Sequence, residues 1–212
     1  MPSPVKSRSR RPAQPPFEGI RRWPLHEAAR VIKSGGIIAY PTEGIYGLGC
    51  DPRNGDAVYR LLHLKHRSVR QGLILVASDF QQLESYLAPL SRELKGRVMH
   101  TWPGPVTWVL PCRKDIPVWI RGEHHSLAVR ISAHPVITGL CREISHPLIS
   151  TSANISGQSP AYNPLAVRRI FRDRLDYILH GPLGGTGQAT EIRDGCTGKI
   201  LRAAKARSST LK

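Results

Sequence analysis

The chain has 212 residues, of which 40% are hydrophobic and 22% charged, a composition typical of a single globular domain. Lys and Arg number 31 against 15 Asp and Glu, so the formal net charge is +16, which favours a partner or substrate that carries phosphate. No apolar run approaches the roughly 18 residues that cross a bilayer, no apolar stretch follows the basic amino terminus, and the four Cys show neither zinc-ligand nor disulfide spacing. We therefore expect a cytoplasmic protein that has reduced thiols and no membrane contact.

Two basic segments flank the predicted domain. Residues 1–22 contain six cations, one acid and five Pro, with too few large apolar side chains to offset the entropy of ordering. Residues 203–212 carry three cations and no acid. We predict a disordered basic arm at 1–22, a domain at 23–202 and a short basic tail at 203–212. The two basic segments either contact RNA or only keep the chain soluble.

Between these segments, amphipathic stretches alternate with short apolar runs. Helical periodicity predicts helices at 25–34, 56–65, 79–86, 91–102, 136–144 and 165–174. Apolar runs predict strands at 37–41, 73–77, 106–110, 127–131, 147–151, 177–179, 190–194 and 199–202. Strands that are apolar on consecutive positions are buried on both faces, so the alternation predicts an α/β fold in which helices cover much of one sheet.

A glycine-rich segment follows the first predicted strand, at residues 41–51. It carries Thr42, Glu43 and Tyr46 as functional side chains, and its glycines would let the backbone approach a ligand closely. A plain turn is the alternative interpretation.

Two further segments place polar side chains at the end of a predicted element. Lys65 and Arg67 lie where a helix runs into a loop, so they either converge on phosphate or form a solvated helix end favoured by the dipole. Residues 150–154, Ser-Thr-Ser-Ala-Asn, follow a strand, where α/β sheets bind ligands; a turn that caps the next element is the alternative. Residues 181–194 are predicted to form a mobile glycine-rich flap.

Several well-known chemistries have no signature in the sequence. It contains no Walker A loop, no GxGxxG after a strand, no HExxH, no GxSxG and no kinase set, and its nine His show no ligand spacing. We therefore expect no metal site built from protein ligands and no hydrolase of the usual nucleophile-and-base type.

Eight segments occur in one order: AYPTEGIYGLGCDP, LKHR, GLILVAS, TWPGPVTWVL, SLAVRIS, PLISTSANISG, ATEIRD and ILR. In combination they resemble the YrdC/TsaC family, the threonylcarbamoyl-AMP synthases, over about residues 24–202, and the chain is most similar to the short TsaC-type form. The resemblance implies a single-domain twisted mixed sheet with helices and a concave basic cavity. It also implies that L-threonine, bicarbonate and ATP are joined into L-threonylcarbamoyl-AMP, with release of pyrophosphate. A tRNA threonylcarbamoyl-transfer complex would then pass the group to adenosine 37 of tRNA.

The resemblance assigns roles to ten residues. Lys65 and Arg67 match the family's KxR motif, which would hold the phosphates and carry the catalysis. The positions that match threonine contacts are Thr42, Arg130, Ser150 and Thr190, and those that match nucleotide contacts are Ser126, Ser152, Asn154 and Arg202. The implied chemistry needs positive charge rather than a protein base, because a carbamate oxygen can attack the α-phosphate directly. Mg²⁺ is expected to arrive with ATP, carried by phosphate oxygens and water.

Some positions depart from the family's pattern, and three interpretations stay open. Gln71 stands where the family commonly has a second Lys, Ser68 replaces a Pro, and neighbouring Arg70 could restore the charge. For Arg130, an internal ion pair with a carboxylate such as Glu191 is the alternative to threonine binding. For the whole protein, the alternatives are an RNA-binding ribosome-maturation protein that contacts tRNA or rRNA directly, and a carbamoyl-transfer module of a hydrogenase-maturation protein, against which the absence of acylphosphatase and zinc-finger segments argues.

Overall fold

A twisted sheet runs through the molecule in the computed structural model, which describes residues 22–185 and 188–204. Within that part of the chain, strands β1 to β9 are Ile38–Pro41, Tyr46–Gly49, Ile74–Ala77, Val106–Pro111, Ser126–Ile131, Leu148–Ser152, Tyr177–Ile178, Glu191–Asp194 and Ile200–Arg202. Helices α1 to α7 are Arg22–Lys33, Gly55–Leu64, Gln81–Glu84, Arg92–Met99, Val118–Arg121, Pro135–Ile144 and Pro164–Phe171, and a 3-10 turn spans Val69–Gln71.

The sheet is mixed, and its central strands carry the polar residues of interest. The strand order is β7-β1-β2-β6-β3-β5-β4-β8-β9. The pairs β1–β7, β3–β5 and β4–β8 are parallel, whereas the other five neighbouring pairs are antiparallel. The predicted single-domain mixed α/β sheet is therefore confirmed. Strands β5 and β6 both flank β3, with β5 parallel and β6 antiparallel to it. The amino end of β5 and the carboxyl end of β6 therefore lie at the same end of the sheet.

Two apolar cores lie on opposite faces of the sheet, and alternating residues of each strand feed them. In β1, Ala39 packs into one core and Ile38 into the other. The first core also contains Leu61 of α2 and Phe171 of α7, while the second contains Leu140 of α6 together with residues of α1. The sheet is thus covered on both faces, as its apolar strands predict.

Strand β2 is the main difference from the sequence prediction, which placed a glycine-rich turn there. Tyr46–Gly49 pairs with β1 on one side and with β6 on the other, so neither the turn nor the plain-turn alternative holds for these residues. The glycine at 49 is required by packing, since a Cβ there would lie 2.5 Å from the Ile149 oxygen and 2.8 Å from Tyr40 Cε1.

Several predicted helices are shorter in the structure than in the prediction. The stretch 91–102 is helical only over Arg92–Met99, and 79–86 contains the single turn Gln81–Glu84. Helix α7 ends at Phe171 because Arg172 adopts a positive φ of 54°, which breaks the helical hydrogen-bond pattern.

The flanking basic segments fall largely outside the described residues. Residues 1–21 of the predicted arm and 205–212 of the predicted tail are not described, so both remain predictions. Arg22 already belongs to α1, and residues 203–204 follow β9 without regular structure. Among the described helices, none has the length and apolar character to cross a membrane.

We expect Gly49→Ala to destabilise the protein by about 1 to 3 kcal/mol, because the added methyl group overpacks the contact between β1, β2 and β6. The measurement is the free energy of unfolding in urea. Gly96→Ala is the matched control, since a Cβ at Gly96 in α4 meets no atom within 4 Å. That control should stabilise the protein by roughly 0.5 to 1 kcal/mol through helix propensity. Equal effects of the two substitutions would contradict the packing explanation.

Candidate functional site

An open cavity of about 470 Å³ lies against the central strands. Its wall combines β5 and β6 with the loop between β1 and β2, the segment 67–74, and the segment that leads into β8. The volume lies within the range of about 300 to 1,000 Å³ that is usual for small-molecule sites. The cavity is therefore large enough for a nucleotide-sized ligand.

The structure brings together most of the residues to which the sequence assigned a role. Eight of the ten line the cavity: Thr42, Arg67, Ser126, Arg130, Ser150, Ser152, Thr190 and Arg202. The other two, Lys65 and Asn154, lie behind its wall and are bonded to each other, with Lys65 Nζ 3.2 Å from Asn154 Oδ1. The ten residues therefore lie close together, eight on the cavity wall and two behind it.

Helix α2 positions the two cations of the KxR motif on different sides of the wall. Asn54 caps its amino end by accepting a hydrogen bond from the Ala57 amide at 3.1 Å. At the other end, His66 adopts a φ of 51°, and the Arg67 amide donates to the Leu62 carbonyl at 3.0 Å. This left-handed cap reverses the chain direction just after Lys65, so the side chains of Lys65 and Arg67 diverge.

Lys65 is buried, with only 2% of its surface exposed, so the alternative of a solvated helix end is wrong for this residue. Its ammonium donates to the Ser152 carbonyl, to the Asn154 carbonyl at 2.8 Å and to Asn154 Oδ1. These three bonds use all its donors and tie α2 to the carboxyl end of β6. Burial, together with the neighbouring charge of Arg67, lowers the Lys65 pKa to about 8.

Arg67 faces the cavity, and its guanidinium is only partly committed to the protein. Nη2 donates to the Gly72 carbonyl at 2.9 Å, whereas Nε is buried without a hydrogen-bond partner. Burial lowers the Arg67 pKa, although a guanidinium stays charged at neutral pH. The remaining donors are free to meet an anion in the cavity.

Arg130 is the last residue but one of β5 and is 4% exposed. Its Nη1 donates to Thr190 Oγ1 at 2.7 Å, and its Nη2 lies 3.2 Å from Glu43 Oε2. The carboxylate partner expected from the sequence, Glu191, instead forms an ion pair with Arg193. An internal ion pair therefore exists, but the alternative named the wrong carboxylate.

Arg202, on the edge strand β9, completes a group of cations around the cavity. Its Nη2 donates to the Thr190 carbonyl at 2.8 Å, so Thr190 contacts both Arg130 and Arg202. Burial, and then the charges of Arg130 and Arg67, lower the Arg202 pKa. No carboxylate is found among the described residues that line the cavity, so its field favours anions.

The hydroxyl groups of the site are oriented by bonds to neighbouring strands and loops. Ser150 accepts a hydrogen bond from the Tyr40 hydroxyl at 2.8 Å, which leaves its own proton available to a ligand. Thr42 donates to the Ile45 carbonyl at 2.7 Å, which leaves its oxygen available as an acceptor. The two hydroxyls therefore offer complementary hydrogen-bonding groups.

Asn154 shapes the loop after β6. Its amide donates to the carbonyls of Ile155 at 2.9 Å and Gln158 at 2.7 Å, and its Oδ1 accepts from the Ser152 hydroxyl. The alternative of a turn that caps the next element does not hold, because residues 150–152 belong to β6 and line the cavity, and α7 is capped by Asn163. Ser126, at the first residue of β5, lines the opposite part of the cavity.

Sequence reasoning missed several residues of the wall. Arg121, His124 and Leu201 line the cavity without having been assigned to it, and Gln71 lines it at the position that departs from the family pattern. Arg121 donates to the carbonyls of Ile116, Gly122 and His124, so its charge is anchored in place. The only sequence signal for these wall residues was Arg121, a cation directly before a glycine, Gly122. Among the described residues, no group of His, Cys, Asp or Glu is arranged to hold a metal ion.

Known proteins match most of this chain in sequence and in fold. The family Sua5_yciO_yrdC, described as "Telomere recombination", matches residues 30–204. The chain is 54% identical over 180 residues to a threonylcarbamoyl-AMP synthase of Nitrosococcus oceani, covering 85% of this chain and 97% of that relative. It is 50% identical over 184 residues to one of Halorhodospira halophila, covering 87% of this chain and 96% of that relative.

Among solved structures, the P. abyssi Sua5 complexed with L-threonine superposes with a TM-score of 0.82 and 31% sequence identity. The match covers 88% of this chain and 56% of that one, so the present chain spans little more than half the length of that Sua5 protein. The described fold is thus that of a protein crystallised with a free amino acid.

The depressed pKa of Lys65 predicts a pH dependence of stability. An unfolded Lys ionises near 10.5, so between about pH 8 and 10.5 the unfolded chain holds more protons at this residue than the folded one. Stability attributable to Lys65 should therefore rise with pH, by at most about 1.4 kcal/mol per pH unit.

The measurement compares the unfolding free energies of the wild type and Lys65→Met at about pH 7.5, 9 and 10, which lie on both sides of the Lys65 pKa of about 8. The variant lacks the titrating group but keeps a similar length, so other ionisations cancel in the difference. The unfolding free energy of the wild type should increase relative to that of Lys65→Met as the pH rises. A difference that does not change with pH would show that the Lys65 pKa is ordinary.

Proposed function

Because this chain belongs to the Sua5/YciO/YrdC family, we propose that its cavity synthesises L-threonylcarbamoyl-AMP from L-threonine, bicarbonate and ATP. One observation carries the proposal: three arginines, Arg67, Arg130 and Arg202, converge on a nucleotide-sized cavity whose described wall holds no carboxylate. The reactants bring a triphosphate, the threonine carboxylate and bicarbonate, so each presents an anionic group that such a wall would attract.

The chemistry divides into two steps that balance without a protein nucleophile. The threonine ammonium first loses a proton to solvent. The free amine then attacks the carbon of bicarbonate, and the bicarbonate hydroxyl leaves as water together with one amine proton, which produces a carbamate. A carbamate oxygen then attacks the α-phosphorus of ATP, the bond to the bridging oxygen breaks, and pyrophosphate leaves with that electron pair. The protein's part is to align the anionic groups of the reactants and to offset their mutual repulsion, which suits a wall of fixed cations. In this scheme the protein is a nucleotidyltransferase.

The threonine end of the site is built around Arg130, with Thr42, Ser150 and Thr190 beside it. Its guanidinium is held from two sides and keeps donors for the threonine carboxylate. Ser150 offers a proton and Thr42 an oxygen, which fits the donor and acceptor character of the threonine hydroxyl.

The nucleotide end is built around Arg67 and Arg202, with Ser126 and Ser152 on the wall. We assign phosphate contacts to Arg67, whose Nε and remaining Nη donors are not used by the protein. Lys65 is assigned to the same step, and it would reach a phosphate only by giving up one of its carbonyl partners. Its depressed pKa makes that exchange easier, since burial already disfavours its charge.

Mg²⁺ is proposed to enter with ATP rather than to occupy a site built by the protein. The polar side chains of the described wall are guanidinium groups, hydroxyls, amides and one imidazole, without a carboxylate, and such a set does not suit a dedicated magnesium site. When bound, the ion would neutralise part of the triphosphate charge. Arg67 and Arg202 would then meet the phosphate oxygens that the ion leaves exposed.

The product is a mixed anhydride that must be passed on before water hydrolyses it. We propose that a tRNA threonylcarbamoyl-transfer complex receives it, in the cytoplasm, for t6A modification of adenosine 37. The resemblance of nearly the whole chain to named synthases favours this function over an RNA-binding ribosome-maturation protein. Direct contact with tRNA or rRNA would be additional to the synthase activity.

The function is tested by measuring pyrophosphate release with ATP, threonine and bicarbonate, and by omitting each substrate in turn. We expect release to require all three, because the carbamate is the attacking group. The adenylate product should be detected by mass spectrometry in the same reaction. Release that continues without threonine or bicarbonate would mean that the cavity performs another reaction. RNA binding that weakens steeply with salt, without pyrophosphate release, would favour the RNA-binding alternative.

Replacement of Arg130 tests the threonine end. Arg130→Gln should raise the half-saturating threonine concentration at least about tenfold, which corresponds to a lost charged hydrogen bond of roughly 1.5 to 3 kcal/mol. The half-saturating ATP concentration should change far less, because Arg67 and Arg202 remain. Steady-state rates over both substrates, with a melting curve, provide the measurement. If the rate depended on threonine concentration as in the wild type while the melting temperature fell, Arg130 would have only a structural role.

A further inference from the structure

Glu43 is a buried carboxylate to which the proposed reaction gives no role. It lies in the loop between β1 and β2, next to Thr42, and is 7% exposed. Thr42 and Ile45 line the cavity, but Glu43 points behind the wall. A buried carboxylate is expensive unless it meets a cation or several donors, so its partners indicate what it does.

Its two carboxylate oxygens have different partners. Oε1 accepts a hydrogen bond from the Ser132 hydroxyl at 2.6 Å, and Ser132 is itself held by the His134 amide at 3.0 Å. Oε2 has no hydrogen-bond partner and lies 3.2 Å from Arg130 Nη2. One oxygen therefore fixes the carboxylate to the loop after β5, and the other is directed at the guanidinium.

The surrounding backbone seals Glu43 away from the cavity. A Cβ on Gly184 would lie 3.0 Å from Glu43 Cα and 3.2 Å from His134 Cδ2, and a Cβ on Gly44 would collide with the backbone of Gln188. These two glycines let the segment before β8 pack directly on the loop. Because Glu43 is covered in this way, a ligand in the cavity meets Arg130 and not Glu43.

Arg130 is therefore held on both sides, by Thr190 on the cavity wall and by Glu43 behind it. Thr190 accepts from Nη1, Glu43 faces Nη2, and Nε has no partner. A guanidinium is a planar fork, so two anchors set the orientation of its remaining donors. The single carboxylate also offsets part of the repulsion among Arg130, Arg67 and Arg202.

We propose that Glu43 is a positioning residue that holds the Arg130 guanidinium in the orientation needed for the threonine carboxylate. This inference rests on the proposed function. Glu43 acts on threonine only through Arg130, with Ser132 as the group that fixes Glu43. An ion pair that served only to stabilise the fold would affect melting temperature without affecting the use of threonine.

The principal test is Glu43→Gln, which keeps the shape and the Oε1 acceptor but removes the charge. The half-saturating threonine concentration should rise about tenfold, as expected for loss of a charged partner. The rate at saturating threonine and the half-saturating ATP concentration should stay within about twofold, since the phosphate contacts are untouched. An unchanged threonine curve in this variant would overturn the inference.

Asp51→Asn is the matched control. Asp51 is also a buried carboxylate, 2.9 Å from Arg53 and 3.4 Å from His146, and neither it nor these partners line the cavity. The control should lower the melting temperature and leave the threonine dependence unchanged. A rise in half-saturating threonine as large as that of Glu43→Gln would overturn the inference, because any loss of a buried charge would then suffice.

A double-mutant cycle separates positioning from stability. The pair Glu43→Gln with Arg130→Gln should need no more threonine than Arg130→Gln alone, because Glu43 has nothing left to position. The same pair should melt at a higher temperature than Arg130→Gln, which leaves Glu43 buried without its cation. Additive increases in the threonine requirement would overturn the inference.

Ser132→Ala keeps the test decisive if Glu43→Gln does not fold. It removes the bond to Oε1 together with the bond that the His134 amide donates to the same hydroxyl. We expect a rise of about threefold in half-saturating threonine, because the carboxylate becomes less fixed. A wild-type threonine curve in Ser132→Ala would then overturn the inference. Failure of the wild type to release pyrophosphate with threonine would instead overturn the proposed function, and this inference with it. Wild-type activity with unaffected variants would overturn the inference alone.

Discussion

The charge of Arg130 inside a strand of the sheet is the constraint on which the site depends. A guanidinium 4% exposed needs an acceptor and a negative charge close by, and its own strand supplies neither. Thr190 and Glu43 supply them from segments far apart in the sequence. The loop after β1 and the segment before β8 must therefore meet over β5. Their meeting forms one wall of the cavity, so the burial of one charge and the shape of the site have the same cause.

Lys65 is a second buried cation whose partners also bring separate segments of the chain together. Its ammonium meets backbone carbonyls at the end of β6, which ties the loop after that strand to α2. The helix must end there, and the left-handed His66 turns the chain so that Arg67 enters the cavity. Two buried cations thus hold three loop segments against the sheet, which is how a site on loops acquires fixed geometry.

The sequence predicts the apolar framework well because buried strands are continuous hydrophobic runs. Strand β2 was not predicted because Gly47 and Gly49 have low strand propensity. These glycines lie in a strand because they pack closely against Tyr40 and because β2 pairs with β6. The partner of Arg130 escaped for a related reason. Glu191 is one residue from Thr190, but alternation along β8 turns its side chain toward Arg193 instead.

The ten residues assigned by resemblance divide into a layer that faces the cavity and a layer that supports it. A motif marks both layers alike, since a sequence pattern records that a residue matters and not whether it touches a ligand. Only the geometry separates Arg67, which faces the cavity, from Lys65, which is bonded to the protein. Glu43 belongs to the supporting layer by the same criterion. Each cation of this site is therefore best considered together with the protein group that contacts it from behind, because that group determines the position of the charge.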